Sequence, residues 1–581
     1  MRKTLLALGL LLSLCVRTLA LSPIQDSAQQ NTDSTNLFFV GASVWASVSS
    51  NEDLRPLLSY SNEWGHYTQY DQGELSASAH VAYVHTFRNP RLSWSAGLKA
   101  QVSLDSKRTM INELYANANL LMFGIKIGRE EYTPIESNTS LSFGSYLMSN
   151  NAAPVWRGWV GILDYWAPLA EFKSTKLESI MNLIEIRGGL SFGILDDEGE
   201  EGYTDGILFH EKFAYGRIGQ FNIKPYCGLY HSVMMGGTMA NGLEVPIDFW
   251  ASFFAKQGSS DVFDKSLFLG ETTNRAGAHQ GMWDLGLDFD FDNFSGKAYY
   301  QRPFADARAK SLFGKEAKDF FIGVQLKFKR LTWLKEATVE FMKTDWQGGD
   351  GTPDLVVPDQ NGGMSYFFPG AVSEGNFDNI KNNVLLQADV AAWETQSGLS
   401  LTYDTFEQFC REMYNHNEDF GGRSQYLINY FYPQGWTRGG LSMGCSLFHT
   451  RETVSRYAPE GTMKLDDIFS NVQVRAINFG LSGDILKNRL SYQFRFTQTR
   501  NYGSNREQFA GEPMCSWVPL ENYFFATPKN ESLLKLKLDY LFPKRNALNL
   551  NVCFTADFGD LYDAVSLRVG LTCNVSQLFR R

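Results

Sequence analysis

The stretch "RLSWSAGLKAQVSL", residues 91–104, decides how the chain is read. Leu92, Trp94, Ala96, Leu98, Ala100, Val102 and Leu104 form an apolar set. Ser93, Ser95, Gly97, Lys99, Gln101 and Ser103 form a polar set between them. A period of two is a strand period, because successive side chains point to opposite faces of a sheet. The run is also longer than the five or six residues typical of strands in soluble domains. Its length suits a tilted strand crossing a bilayer, which takes about 9–11 residues.

The pattern recurs along the chain. Leu75 to Phe87, Ile184 to Ile194, Trp283 to Phe291, Phe320 to Phe328, Leu490 to Phe496, Leu534 to Tyr540, Leu548 to Phe554 and Leu567 to Val575 all alternate in this way. Roughly eighteen to twenty such segments are present, most about ten residues long. The predicted fold is an all-β transmembrane barrel of about 18 antiparallel strands, with an apolar face to lipid and a polar face to a lumen. Only a closed barrel leaves no strand edge unpaired in hydrocarbon. Trp94, Tyr115, Trp333 and Tyr540 sit at segment ends, where a bilayer has its aromatic girdle. The last segment ends near Phe579, in the manner of bacterial outer-membrane barrels, although Arg580 and Arg581 follow it. The alternative is a set of soluble sandwiches with one face in water.

Composition agrees with a β protein. Aromatics reach 14% and there are 51 Gly, which suits strands joined by many turns. Arg2 and Lys3 precede an apolar run from Leu5 to Val16, and Thr18-Leu19-Ala20 offers a cleavage site. Residues 1–20 therefore read as a secretory signal peptide, 21–36 as a linker and 37–581 as a single barrel. No later stretch is apolar and long enough for a transmembrane helix. The formal net charge is −10, and cleavage after Ala20 removes three cations. An acidic, exported chain is no candidate for nucleic acid binding. Cys227, Cys410, Cys445, Cys515, Cys553 and Cys573 form no CxxC and no tight framework. Alternation sets Cys553 and Cys573 on opposite faces, so free thiols are expected.

Strands and short turns do not use up the chain. The surplus falls near 130–182, 232–281, 345–383, 408–440 and 500–531, where short helices and long loops would occlude or extend the barrel. Within it, "VPIDFWASFFAKQ" (245–257) reads as a short helix capped by Asp248, with Phe249, Phe253 and Phe254 on one side.

The stretches "LYANANLLMFGIKIGREEY" (114–132) and "SFGSYLMSNNAAPVWRGWVGI" (142–162) resemble the capsule assembly Wzi family of outer-membrane proteins. Further along, "LFHEKFAYGRIGQFNIKPYCGLYHSVMMGG" (208–237), "AGAHQGMWDLGLDFDF" (276–291) with "GKAYYQRPFAD" (296–306), and "NYFYPQGWTRGGLSMG" (429–444) resemble the Bacteroides-type version of that family. The resemblance implies an eighteen-stranded barrel with a helical bundle on the periplasmic side. It also implies a non-enzymatic lectin role that holds capsular polysaccharide at the cell surface. A bacterial outer-membrane location, contact with membrane lipid and lipopolysaccharide, and a monomer are expected with it.

Candidate polysaccharide-binding residues follow. Asn150 and Asn151 bring paired amide donors and acceptors, as sugar hydroxyls require, or else cap a turn in the lumen. Arg129 matches a basic position of the family; the residues equally allow a lumen salt bridge to Glu130, Glu131 or Glu136. Trp156, Trp159, Trp346, Tyr366, Trp436 and Trp517 are aromatics in surplus segments on which sugar rings could stack. Trp156 and Trp436 are the ones chosen.

Other chemistry is weaker. GxSxG occurs as "GLSFG" (189–193) and "GLSMG" (440–444), both read as lying within alternating strands rather than at the strand–turn–helix of a nucleophile elbow. No catalysis by Ser191 or Ser442 is expected. "HEKFA" (210–214) lacks the second His of a zinc motif, and "DDEGEEGYTD" (196–205) reads as a solvated loop. No cofactor or metal is expected. The rival function is a substrate-selective porin, in which Lys99, Arg187, Arg475, Arg495, Arg568, Asp288 and Glu340 would line the path.

Overall fold

The computed structural model describes residues 34–580 except 104–108, 169–182, 196–201, 220, 269–270, 273–274, 306–317, 348–354, 359–363, 368–376, 383–385, 415–425, 505–506, 508, 511–517, 520–521 and 544–546. The expected signal peptide and linker therefore lie outside the described residues, apart from 34–36. So do Trp517 and most of the acidic stretch 196–205.

Eighteen antiparallel strands form one closed sheet. In chain order they are β1 (Thr35–Ser49), β2 (Gly73–Thr86), β3 (Leu92–Ser103), β4 (Thr109–Leu120), β5 (Phe123–Arg129) and β6 (Trp156–Trp166). Then come β7 (Ile184–Leu195), β8 (Ile207–Ile218), β9 (Ile223–Met235), β10 (Ala278–Asp290), β11 (Phe294–Ala305) and β12 (Phe320–Phe328). The last six are β13 (Glu336–Lys343), β14 (Val474–Ile485), β15 (Leu490–Asn501), β16 (Lys529–Leu541), β17 (Leu548–Gly559) and β18 (Ala564–Arg580). Each strand pairs with its sequence neighbours, and β1 pairs with β18 from Thr35↔Arg580 to Ser49↔Ser566. Closure removes every edge, as the bilayer demands.

The stretch that opened the reading is β3. Trp94, Leu98 and Val102 stand on its outer face, about 40% exposed, while Gln101 and Ser103 are buried inside. The same outer belt continues through Val324, Val339, Leu481, Leu567, Val569 and Leu571. Among the described residues no helix is long and apolar enough to cross a membrane; the crossing is made by strands. The chain is a bacterial outer-membrane β-barrel. Of the expected girdle, Trp94 and Trp333 are exposed near one rim. Tyr115 is not part of it: its ring lies against Gly97 on the lumen side, in the middle of β4.

One rim carries short turns, such as 121–122, 291–293 and 486–489, and both ends of the barrel chain. The other carries long connections, including 50–72, 130–155, 236–277, 344–473 and 502–528. In bacterial barrels the short turns are periplasmic and the long loops extracellular.

The surplus is distributed differently from expectation. β6 runs through the middle of 130–182. It was hidden because its lumen face carries Trp159, 2% exposed, which blurs the apolar–polar alternation. The whole of 344–473 is one excursion between β13 and β14, not two. The connection 50–72, which carries no surplus signal, also folds inward.

Helix α1 (Leu57–Tyr60) lies in this first inward loop. Helix α2 (Phe249–Phe253) starts where the sequence places it, with Asp248 accepting from the Ala251 amide at 3.1 Å. It lies against the outer wall: Phe249 stacks with Phe192 and Phe253 with His210. Phe254 falls beyond the helix and is exposed. Helices α3 (Phe377–Lys381), α4 (Gln387–Ser397) and α5 (Tyr403–Tyr414) share a small core of Leu386, Val390, Trp393, Phe406 and Phe409. They belong to the β13–β14 connection on the long-loop rim, so the periplasmic bundle implied by the family resemblance is not what these helices form. Among the described residues, no disulfide joins Cys227, Cys445, Cys553 or Cys573.

Candidate functional site

Three loops from the long-loop rim meet inside the barrel and form a plug. They are 50–72, 130–155 and the part of the β13–β14 connection from Tyr426 to Thr450. Their apolar residues, including Leu57, Leu58, Phe143, Tyr146, Leu147, Trp436, Cys445 and Leu447, are buried in the main core. Burial pushes the Cys445 thiol up to about 12, so it is an inert packing group. The loops are joined backbone to backbone. The Trp64 and Gly65 amides donate to the Asn150 and Asn151 carbonyls, and the Ser149 amide to that of Met443. Gly444 is glycine because a Cβ there would stand 1.9 Å from the Tyr146 carbonyl oxygen.

The lumen face of the wall holds the plug by specific bonds. The Leu57 amide donates to Asp557 at 2.5 Å and the Phe143 amide to Glu340 at 3.0 Å. Asn478 donates to the Leu141 carbonyl, Gln325 to that of Ser137 and Arg568 to that of Ser59, at 2.7–2.9 Å. Charges pair across the same boundary: Lys535 with Glu63 at 2.5 Å, Lys99 with Glu131 at 2.7 Å, and both Arg187 and Lys297 with Glu136. Burial alone would raise these three loop carboxyls; the cations outweigh it and hold each below the usual range. Arg157 bridges buried Glu211 at 2.5 Å and the Tyr132 carbonyl at 2.6 Å.

One carboxyl at the rim behaves oppositely. Asp319, just before β12, accepts from the Trp346 and Gln347 amides and from the Tyr426 hydroxyl. Burial outweighs those bonds and pushes it up to about 7.

The residues singled out in the sequence fall mostly into this frame. Asn151 is 2% exposed; its Oδ1 accepts from the Asn62 amide and its Nδ2 donates to the Ser442 carbonyl. It is a structural clasp between loops. Asn150 is half-buried, and its Oδ1 has no hydrogen-bond partner. Arg129 is 9% exposed, and Glu130, Glu131 and Glu136 are each taken by other cations: Lys126, Lys99, and Arg187 with Lys297. Trp436 is 1% exposed, packed edge-on against Phe209, so no sugar reaches its face. Trp156 stands on the outer wall, paired in register with Ile194; lipid is its environment.

Ser191 is buried on the lumen face of β7. Ser442 lies in a two-residue hairpin of the plug, Thr437–Arg438 with Leu441–Ser442, and not in a barrel strand. Neither serine stands at an elbow before a helix. Of the seven charges set out for a porin, Arg475 does not line the lumen. Alternation turns it to the outer side of β14, where it pairs with Asp345. Trp346 is buried under Lys318, and the Tyr366 side chain is outside the described residues. Sequence reasoning missed Tyr430. It is 79% exposed beside buried Phe431, in the plug segment that touches Thr204 and Phe268 of neighbouring long loops.

Below the plug, towards the short-turn rim, the lumen is not filled. A cavity of about 170 Å³ remains between β1, β2, β3, β16, β17 and β18. Plug residues His66 and Tyr67 border it, and Lys99, Lys537 and Arg568 line it.

No family model matches the chain, and no curated protein matches it. Among solved structures it is similar to Wzi, an outer-membrane protein involved in group 1 capsule assembly in Escherichia coli and described as a carbohydrate-binding β-barrel. The identity is 11%, over 91% of this chain and 83% of that one, with a TM-score of 0.47. It is also similar to OccD3 (OpdP) of Pseudomonas aeruginosa, 8% identical over 93% and 91% of the two chains, TM-score 0.40. OprD of the same organism is 8% identical over 95% and 97%, TM-score 0.39.

Proposed function

We propose that this protein is a non-enzymatic outer-membrane barrel that binds or anchors capsular or other surface polysaccharide. The observation that carries the reading is the plug. Long loops of the extracellular rim fold down into the lumen and are bonded to strands on all sides of the wall. Loops fixed in this way make a firm platform at the cell surface, suited to holding a polymer outside. Exposed Tyr430 supplies stacking chemistry on that platform. A repeating polymer adds avidity, so each contact can be weak.

Deleting the gene and measuring cell-bound and shed glycan tests this. The expected result is loss of coat with polymer released to the medium; a full coat with none released overturns it. A second reading, a substrate-selective porin, is favoured by the charged lumen wall around the unfilled cavity, with Lys99 and Arg568 among its residues. A large, stable single-channel current in a planar bilayer would establish that reading over the first.

A further inference from the structure

The geometry points to a second ligand site in the lower lumen: the cavity beneath the plug binds one carboxylated sugar ring. This goes beyond the surface role proposed above and stands whether or not that role holds.

Charge is the first argument. Lys99, Lys537 and Arg568 line the cavity, and no carboxylate does. The nearest acids sit behind the cations: Glu131 at 2.7 Å from Lys99, Glu63 at 3.9 Å from Arg568, and Asp539 at 3.9 Å from Lys537. Arg568 is held further by the Ser59 carbonyl at 2.9 Å and by the Tyr67 ring, which leaves Lys537 with the fewest close partners of the three.

Neutral polar groups of the wall are the second. Gln101 is 4% exposed; its Nε2 donates to the His66 carbonyl, yet its Oε1 accepts nothing. Trp45 is 8% exposed, and its Nε1 donates to nothing. Both residues line the cavity. Both atoms are closed off from solvent, so they mark incomplete pairing within the wall and are not themselves ligand contacts. Ser43, Ser78, Asn551 and Thr572 add hydroxyl and amide groups to the wall.

Shape and apolar surface are the third. Trp45 and Tyr67 meet edge-to-face at 5.5 Å and give the cavity an aromatic wall. A ring with C–H groups can lie on such a wall; a bare phosphate or acetate gains nothing from it. A volume of about 170 Å³ equals the space of roughly five or six waters, which admits one ring and not a chain.

The test uses the full chain purified in detergent and isothermal titration with glucuronate, glucose, acetate and inorganic phosphate. Glucuronate is expected to bind about tenfold or more tightly than any of the other three. In Lys537→Gln its affinity should fall to the level of glucose. Thr572→Phe, which fills the cavity, should abolish binding while the barrel still melts as a folded species by circular dichroism. Equal binding of acetate or phosphate would show a plain anion site, and equal binding of glucose a neutral-sugar site; either overturns the proposal. So does an absence of binding at millimolar glucuronate, or a Lys537→Gln variant that binds it as tightly as the parent.

Discussion

The upper and lower halves of the lumen are built from the same eighteen strands, yet they treat polar atoms differently. Above, wall groups meet plug atoms: Asp557 the Leu57 amide, Glu340 the Phe143 amide, Asn478 the Leu141 carbonyl. Below, the wall encloses a cavity and Lys537 has only a distant acid. The contrast separates two uses of a polar wall. In the filled half polar groups fix a loop in place, and losing one leaves its partner buried and alone. In the unfilled half they are held ready for something that is not part of the chain.

That contrast can be broken, starting where the cost is greatest. Arg157→Met strands Glu211, which is fully buried. The expected destabilisation is about 3–5 kcal/mol, read from denaturant unfolding in detergent; a loss below about 1 kcal/mol would mean that the filled half is not held by its charges. Val324→Arg tests the outer face in the middle of β12 and should cost about 2–4 kcal/mol, measured in the same way. If it is neutral, this face does not meet acyl chains.

Asp319 gives a pH signature for the plug rim. An unfolded aspartate titrates near 4, whereas this one is pushed up to about 7. Between those values the folded state holds the extra proton, so stability falls as pH rises from about 4 to about 7. Asp319→Asn should flatten that slope by up to about 4 kcal/mol, seen by comparing unfolding midpoints across the range. The smallest effect belongs to the lower half. Lys537→Gln should change stability by less than about 1 kcal/mol, because Glu63 keeps Lys535. A larger loss would make Lys537 a structural residue after all.

The wall was legible in the sequence and the plug was not. Alternation in β3, β10, β12 and β17 is imposed locally, by lipid on one side and polar surroundings on the other, so it can be read one strand at a time. It also set Cys553 and Cys573 on opposite faces, and no disulfide joins them. The plug is made of contacts between segments far apart in the chain, and nothing within a loop declares its partner. Asn151 carried the amide chemistry a sugar wants, but Asn62 and Ser442 use it up. Trp436 was chosen for lying in surplus chain, and the surplus turned inward and buried it. Tyr430, six residues earlier, stayed outside; only its neighbours in space distinguish the two. The same holds for Gln101, a polar residue in a strand like any other until the fold places it on the wall of a void.

The bond from the Leu57 amide to Asp557 spans 500 positions, and it has a consequence for biogenesis. Its donor leaves the translocon near the start of export and its acceptor near the end. Closing so long a segment is entropically slow, so the first loop must wait, undocked, while almost every hairpin is laid down. Stoppering is therefore a late event in this molecule's maturation. A nascent cylinder lacking only its final staves would be a leaky one, and swift completion of that seam spares the envelope an open hole.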